Sequence, residues 1–297
     1  MHRLAAAALL SSALAAQEPV VTNPTEPRPA ELGTVHWQRD LDAALAAAAK
    51  ARKPVFLLFQ EIPGCATCTG FGTDVLSHPL LVSAIEACFV PVVVRNNVDG
   101  PERAVLARYG EPTWNNPVVR FVDAAGKDLI ARKDGVFDAH GIAARMIAAL
   151  ERAKRPVPAY LRVAHDESDP ELATAVFAMH CFWEGEAVFG TLHGVVRTRA
   201  AFQDGDEVVE VTFRPSVVSR EVLTALAEAQ SCRPVTDGAR RPAPAGDQQH
   251  ALGGTPYAEL ALTPMQRTKV HAALTRGQDP KVWLTPAQAA ALAAAAK

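Results

Sequence analysis

Short, continuous apolar runs in the first half of the chain place the strongest constraint on its fold. Residues 55–59, 89–94 and 117–122 each have the length of a strand, and segments with helical spacing separate them. A strand that is apolar at every position is buried on both faces, which is typical of a sheet covered by helices. The sequence therefore predicts an α/β domain of about 120 residues in this part of the chain.

A second group of elements follows a proline-rich break after residue 154. Residues 173–178 form an apolar strand pattern, residues 182–192 have helical spacing, and residues 207–213 alternate as a half-buried strand does. Further on, Thr263-Pro264 and Thr285-Pro286 each predict the start of a helix, because proline is well tolerated in a first helical turn. A mixture of this kind predicts a second domain that contains both helices and strands.

The first residues contain the three parts of a secretory signal peptide. Arg3 supplies positive charge, residues 4–14 are small and mostly apolar, and Ala13-Leu14-Ala15 is a small-x-small cleavage site. The apolar part is too short for a membrane helix, and no later apolar run reaches the roughly 18 residues that a span requires. The sequence thus predicts an exported protein, periplasmic or extracellular, without a transmembrane segment. The alternative interpretation is a frayed, alanine-rich helix.

These patterns divide the chain into five segments. They are a signal peptide at 1–16, a proline-rich tether at 17–33, a first domain at 34–154, a linker at 155–172, and a second domain with C-terminal helices at 173–297. The 30 Lys and Arg residues and the 32 Asp and Glu residues give a net charge of -2. Nucleic acid is therefore not expected as a partner, since no basic excess is present to bind phosphates.

Cys65 and Cys68 form a Cys-x-x-Cys motif between the first predicted strand and a helix. Unpaired N–H groups at a helix start stabilise a thiolate at Cys65, and the two-residue spacing lets Cys68 reach back to close a disulfide. Half of a zinc site and a purely structural pair are the alternatives. A zinc site needs a second pair of ligands, and none appears at suitable spacing. The motif therefore predicts a redox-active pair and no metal.

Residues 34–153 resemble the thioredoxin superfamily. The resemblance rests on the cysteine motif after a strand and on Asn115-Asn116-Pro117 before the strand at 118–122. In that family a cis proline faces the cysteine pair, and Pro117 is the matching residue. Ile62-Pro63-Gly64 stands where the family usually has a tryptophan, and it resembles a thioredoxin-like subgroup whose first cysteine position is often selenocysteine. The resemblance implies a thioredoxin-like fold and a redox-active first cysteine.

Cys181, Phe182 and Trp183 lie where a predicted strand leads into a helix. Cys181 thereby gains the same stabilisation of its thiolate as a cysteine at any helix start. An aromatic pair beside a cysteine is also common in a protein core, so these residues alone leave both interpretations open. Over a longer stretch, residues 175–202 resemble the opening of class A methionine sulfoxide reductases. The resemblance resumes at residues 207–211 and 216–219 and, more weakly, at residues 246–250.

The resemblance to this family implies roles for individual residues. Cys181 matches the cysteine that attacks the sulfoxide sulfur, Phe182 and Trp183 match the residues that hold the substrate methyl group, and Glu207 matches the acid that protonates the departing oxygen. Attack leaves a sulfenic acid that a second thiol must resolve. Cys232 is the candidate in the same domain, and a spare surface thiol is the alternative. No bound cofactor is implied, only a thiol reductant.

The sequence also departs from the reductase pattern at three places. His180 precedes Cys181 where the family has glycine, and residues 203–206 shorten a loop that carries an oxygen-binding tyrosine in the family. The family's later aspartate and tyrosine have no match in residues 233–254. Fewer oxygen-binding groups predict weaker polarisation of the S–O bond.

Together these observations predict an N-terminal thioredoxin-like α/β domain followed by an α+β methionine sulfoxide reductase A-like domain. The predicted function is that of an exported thiol oxidoreductase of the peptide-methionine (S)-S-oxide reductase type, with the first domain transferring electrons. Its partners would be a protein or peptide containing methionine sulfoxide and a thiol/disulfide electron donor. One alternative is a thiol–disulfide oxidoreductase with a degenerate, client-binding second domain. The other is a non-catalytic exported interaction protein.

Overall fold

The computed structural model describes residues 28–115, 117–236 and 238–295. The predicted signal peptide at 1–16 and most of the predicted tether lie outside the described residues. Within the described ranges, none of the helices combines the length and the apolar character that crossing a membrane would require.

The first sheet has three strands in the order β2-β1-β3. They are β1 (Val55–Gln60), β2 (Val90–Arg95) and β3 (Val118–Val122). β1 runs parallel to β2 and antiparallel to β3. Every residue of β1 is buried, as expected for a strand that is apolar throughout and covered on both faces. The α/β prediction for this half of the chain is confirmed.

Five helices surround this sheet. They are α1 (Leu41–Ala51), α2 (Ala66–Gly70), α3 (Pro79–Cys88), α4 (Pro101–Tyr109) and α5 (Ala139–Arg152). α2 continues directly into a π-helical turn at Phe71–Val75. Side chains on a strand alternate between its two faces, so Phe56 packs in the cluster with α3 and α5, and Leu57 packs in the cluster with α1.

A buried helix joins the two halves of the chain. α6 (Ala159–Glu167) falls within residues 155–172, which the sequence-based interpretation described as a linker. Its Tyr160 is buried in the cluster that includes α3 and α5. Its Asp166 forms an ion pair with Arg214 of the second half, in which the guanidinium donates a hydrogen bond at 2.7 Å. The prolines that precede this helix suggested a break, but they only mark its start.

The second half contains a five-stranded sheet in the order β7-β4-β6-β5-β8, and its strand pairs are antiparallel. The strands are β4 (Ala173–Ala178), β5 (Val195–Gln203), β6 (Asp206–Phe213), β7 (Arg233–Pro234) and β8 (Arg241–Pro242). The helices are α7 (Phe182–Gly190), α8 (Arg220–Ala229), α9 (Pro264–Thr275) and α10 (Pro286–Ala295). This is the α+β arrangement that the sequence predicted.

Local sequence accounts for several of these helix boundaries. Thr263 accepts a hydrogen bond from the Gln266 N–H while the Gln266 side chain binds the Thr263 N–H, which is a capping box at the start of α9. At the start of α8, the Ser219 side chain accepts a hydrogen bond from the Val222 N–H. Short 3₁₀ helices occupy Ala30–Leu32, Ala245–Asp247, His250–Leu252, Pro256–Glu259 and Pro280–Trp283.

Candidate active sites at two helix starts

The first candidate site is the Cys65–Cys68 pair at the end of β1. Cys65 is the N-cap residue of α2, and Cys68 lies one turn along the same helix. Their Sγ atoms are 3.8 Å apart, which is a dithiol separation close enough for a disulfide to form with a small shift. Cys65 is exposed and Cys68 is fully buried. An exposed attacking thiol and a covered second thiol suit thiol–disulfide exchange.

The surroundings of the two thiols separate their acidities. A hydrogen bond from the Cys68 backbone N–H is the main cause that lowers the pKa of the Cys65 thiol. Burial raises the pKa of the Cys68 thiol to about 11, with the hydrogen bond to Cys65 as the next cause. Near neutral pH, Cys65 is therefore the thiol that more readily becomes a nucleophile, and Cys68 keeps its proton.

The loop before Cys65 is held from two sides. Asn97, just after β2, accepts a hydrogen bond from the Ile62 N–H at 3.2 Å and donates one to the Pro63 carbonyl at 3.1 Å. Glu31 accepts a hydrogen bond from the Gly64 N–H at 2.8 Å. The Ile62–Pro63 peptide bond is cis. Neither Glu31 nor Asn97 was identified from the sequence, because both are distant from the motif along the chain.

Gly64 is required by close packing against the motif. A Cβ atom added there would lie 2.5 Å from the Cys68 Cβ and 2.5 Å from the Glu61 carbonyl oxygen. Contacts this short would force the backbone apart, so a side chain at this position would displace Cys65 or Cys68.

Pro117 is buried directly before β3. The Asn115 carbonyl accepts a hydrogen bond from the Asn96 side chain at 3.0 Å, which ties this loop to the end of β2. The cis bond predicted at Pro117 would join it to Asn116, which lies outside the described residues. That expectation stays a prediction.

The second candidate site lies where β4 leads into α7. Cys181 is the N-cap residue of α7 and is partly exposed. The antiparallel pairing of Ala178 with Val208 brings Glu207 alongside the residues that follow β4. The Glu207 carboxylate accepts a hydrogen bond from the Phe182 N–H at 2.9 Å, so it lies at the helix start beside Cys181. The structure thus brings together a cysteine and a carboxyl group that are 26 positions apart.

The two aromatic residues after Cys181 occupy different surroundings. Phe182 is buried in the apolar cluster of this half and packs edge to face on Phe202, with ring centroids 5.5 Å apart. Trp183 is 37% exposed, and the ring of His250 stacks on it at 3.9 Å with an angle of 10°. Phe182 therefore also serves the core, whereas Trp183 leaves part of its indole exposed one residue after Cys181.

Cys232 lies near the same end of β4. The next residue, Arg233, pairs with Ala178, three positions before Cys181. Cys232 is buried in the cluster that contains Phe182, and its thiol donates a hydrogen bond to the Gln230 carbonyl at 3.3 Å. It is not a surface thiol, so reaction with Cys181 would require local opening of this edge.

α7 carries a buried carboxyl group that binds the segment after β8. Glu186 is fully buried and accepts hydrogen bonds from the Gln249 backbone N–H and from its side-chain amide, both at 2.8 Å. Burial raises the pKa of Glu186 to about 7. Since His250 follows Gln249, this contact also fixes the ring that stacks on Trp183. In the sequence, Gln249 and His250 belong only to a weak part of the resemblance to the reductase family, at residues 246–250.

Metal binding has no evident site in the described ranges. Among residues 28–115, 117–236 and 238–295, no group of three or more His, Cys, Asp or Glu side chains could hold a metal ion.

Comparison with known proteins assigns both halves of the chain. A family model described as thioredoxin-like matches residues 36–124. The chain is 35% identical over 71 residues to peptide methionine sulfoxide reductase A5 of Arabidopsis thaliana, covering 20% of this chain and 28% of that protein. It is 34% identical over 64 residues to a peptide methionine sulfoxide reductase of Drosophila melanogaster, covering 17% and 26%. The chain thus spans only about a quarter of these two relatives, given coverages of 28% and 26%.

A bacterial relative matches over a longer stretch. The peptide methionine sulfoxide reductase MsrA of Serratia proteamaculans (strain 568) is 30% identical over 154 residues, covering 44% of this chain and 68% of that protein. Among solved structures, a DsbH oxidoreductase aligns with a TM-score of 0.34 and 22% identity, covering 45% of this chain and 94% of its own. On the extent of the match to the Serratia protein, the chain belongs to the MsrA family of peptide methionine sulfoxide reductases and carries a thioredoxin-like domain ahead of its reductase-like part.

Proposed function

We propose that this protein reduces methionine sulfoxide in proteins or peptides at Cys181, with Glu207 as the acid. The observation that carries the proposal is the hydrogen bond of 2.9 Å between the Glu207 carboxylate and the Phe182 N–H. This bond holds a carboxyl group and a thiol at the same helix start, which supports the proposed roles of acid and nucleophile. Sulfoxide oxygen is a poor leaving group until it is protonated, so both groups are needed together.

The reaction proceeds in two chemical stages. The Cys181 thiolate attacks the sulfoxide sulfur, Glu207 gives a proton to the sulfoxide oxygen, and transfer of that oxygen leaves a thioether and a sulfenic acid on Cys181. A second thiol then attacks the sulfenic sulfur, forms a disulfide and releases the oxygen as water. Cys232 is the candidate in the same domain, because the pairing of Arg233 with Ala178 holds it near the end of β4.

Electrons for the next cycle would come from the first domain. The Cys65–Cys68 dithiol reduces the disulfide at Cys181, becomes a disulfide itself, and is restored by an external thiol donor. Fusion to the second domain raises the effective concentration of this reductant. Such a cycle uses thiols alone and no bound cofactor. The proposal includes export to the periplasm or the cell exterior, where cysteine pairs are readily oxidised.

Turnover of a peptide containing methionine sulfoxide, with dithiothreitol as reductant, tests the proposal directly. We expect multiple turnovers with the wild-type chain and none with Cys181→Ser, since serine is not a thiol nucleophile. Cys65→Ser is the matched control, because dithiothreitol can reduce Cys181 without the first domain. An inactive wild-type chain, or turnover unaffected by Cys181→Ser, would refute the proposed activity.

A second candidate is a thiol–disulfide oxidoreductase whose second domain only binds clients. The specific observation in its favour is that the first site contains both thiols of a redox pair. Their Sγ atoms are 3.8 Å apart, and one of the two thiols is exposed. A measurable Cys65–Cys68 reduction potential without sulfoxide turnover would select this candidate. Sulfoxide turnover that depends on Cys181 would exclude it.

A further inference from the structure

A buried carboxyl group contacts the Cys65–Cys68 motif from the segment that precedes α1. Glu31 lies in the 3₁₀ helix Ala30–Leu32 and is only 7% exposed. It accepts the hydrogen bond from the Gly64 N–H at 2.8 Å, immediately before Cys65. None of the ion pairs in the described part of the chain involves Glu31. Within the described residues, a negative charge at this position therefore has no cation at ion-pair distance.

Close packing keeps Glu31 at the motif. A Cβ atom added to Gly72 would lie 2.7 Å from the Glu31 Cα, so the two backbones touch. The Gln60 side-chain amide donates hydrogen bonds both to the Glu31 carbonyl and, at 3.4 Å, to the Cys68 carbonyl. The sequence-based interpretation placed residues 17–33 in a tether, but the end of that segment is part of the redox site.

We propose that Glu31 is a positioning residue whose charge makes the Cys65–Cys68 pair more reducing than it would be with a neutral side chain at this position. The oxidised pair is an uncharged disulfide, whereas the reduced pair carries a thiolate at Cys65. A buried anion beside the motif disfavours the thiolate and leaves the disulfide almost unaffected. The pair consequently gives up its electrons more readily. This inference rests on the proposed role of the pair as electron source, and it gives that role a direction, from the first domain to Cys181.

Equilibration with glutathione measures this property in the full chain. Two glutathione thiols and the Cys65–Cys68 disulfide give the dithiol and one glutathione disulfide, so electrons and protons balance. The substitutions Cys88→Ala, Cys181→Ser and Cys232→Ala leave only this pair to report. In Glu31→Gln, whose amide oxygen can still accept the Gly64 hydrogen bond, we expect the equilibrium constant for reduction to rise about tenfold. The pKa of Cys65, followed by thiolate absorbance, should fall in parallel.

Two further variants separate charge from packing. Glu31→Asp keeps the charge and should stay close to the wild-type equilibrium constant. Glu151→Gln removes an exposed carboxylate from α5 and serves as the matched control. Equal equilibrium constants for reduction in the wild type and Glu31→Gln would overturn the proposal. So would a change in that constant in Glu31→Asp as large as the change in Glu31→Gln. Sulfoxide turnover does not enter this measurement, so a negative result leaves the proposed activity at Cys181 standing.

Discussion

The two candidate sites share a helix start but differ in what stands beside the cysteine. Cys65 has a second thiol 3.8 Å away on the same helix, so its site contains a complete two-electron couple. Cys181 has a carboxyl group at its helix start instead, held by the Phe182 N–H. The first arrangement suits exchange between thiols and disulfides, and the second suits removal of an oxygen atom. Two cysteines at the same kind of helix position therefore differ in the group that stands beside them.

The largest expected effect comes from removing the acid at the second site. Glu207→Gln keeps an acceptor for the Phe182 N–H but cannot protonate the sulfoxide oxygen, so we expect turnover to fall by about 10²–10⁴-fold. Alkylation of Cys181 should change little, and reduction of disulfides by Cys65 should not change. Sulfoxide turnover at saturating substrate is the measurement.

Glu210→Gln is the matched control for this prediction. Glu210 lies on the same strand but pairs with Arg199 and Arg240 rather than with the helix start at Cys181. Turnover should survive in this variant. A decrease as large as that of Glu207→Gln would show that any loss of charge on β6 disables the site.

The next effect concerns how α7 is anchored at its C-terminal end. Lys269 on α9 is buried and donates hydrogen bonds to the Gly190 carbonyl at 2.9 Å and the Leu192 carbonyl at 2.7 Å. Burial lowers the pKa of Lys269 to about 8. Lys269→Met leaves both carbonyls without this donor, so we expect the free energy of unfolding to fall by about 2–4 kcal/mol.

Chemical denaturation of the wild type and of Lys269→Met measures this loss. Lys281→Met is the matched control, because Lys281 is exposed and should change the stability little. If the site at Cys65 is supported independently, its thiol reactivity under native conditions should not respond to Lys269→Met. A variant as stable as the wild type would contradict the anchoring role.

A pH-dependent effect follows from Glu186, a buried residue of α7. Because burial raises its folded-state pKa to about 7 from 4.5, the folded chain binds more protons than the unfolded chain between those values. The contribution of Glu186 to the free energy of unfolding therefore falls as pH rises from about 4.5 to 7, by at most about 3 kcal/mol. Glu186→Gln lacks this titration.

The measurement is the difference in unfolding free energy between the wild type and Glu186→Gln at several pH values. Relative to the variant, the wild type should lose stability between about pH 4.5 and 7 and change little above that range. A difference that does not vary with pH would show that the carboxyl group keeps its ordinary acidity in the folded chain.

The first site could be predicted from the sequence more fully than the second. The reason is that its residues are close together in the chain, whereas those of the second site are far apart. The Cys65–Cys68 motif needs only one strand and one helix turn, so its placement follows from local patterns. Strand periodicity alone did not require Glu207 to approach Cys181; this approach depends on the pairing of β6 with β4. Resemblance to a family, rather than local physics, supplied that residue.

Other contacts follow from no local periodicity in the sequence. Glu31 stands among prolines that indicate an unpacked segment, and its burial depends on the close approach of Gly72. α6 was hidden by the prolines before it and by the polar residues after it. Gln249 reaches Glu186 from a stretch of short 3₁₀ helices whose backbone path local propensities do not specify. Each of these is a long-range packing contact, which short-range periodicity cannot encode.

The smallest expected effect tests whether Trp183 is a substrate surface. The His250 ring stacks on the Trp183 ring with centroids 3.9 Å apart, and His250 directly follows Gln249 in the chain. His250→Ala frees one face of the indole and one restraint on its orientation, a contact worth about 1 kcal/mol or less. If Trp183 holds the methyl group of the substrate, KM for a methionine sulfoxide peptide should rise about two- to fivefold while kcat stays nearly constant. His193→Ala, a change at a histidine beyond the end of α7, is the control. A fall in kcat without a change in KM would mean that His250 acts on the chemical step at Cys181 and not on substrate binding by Trp183.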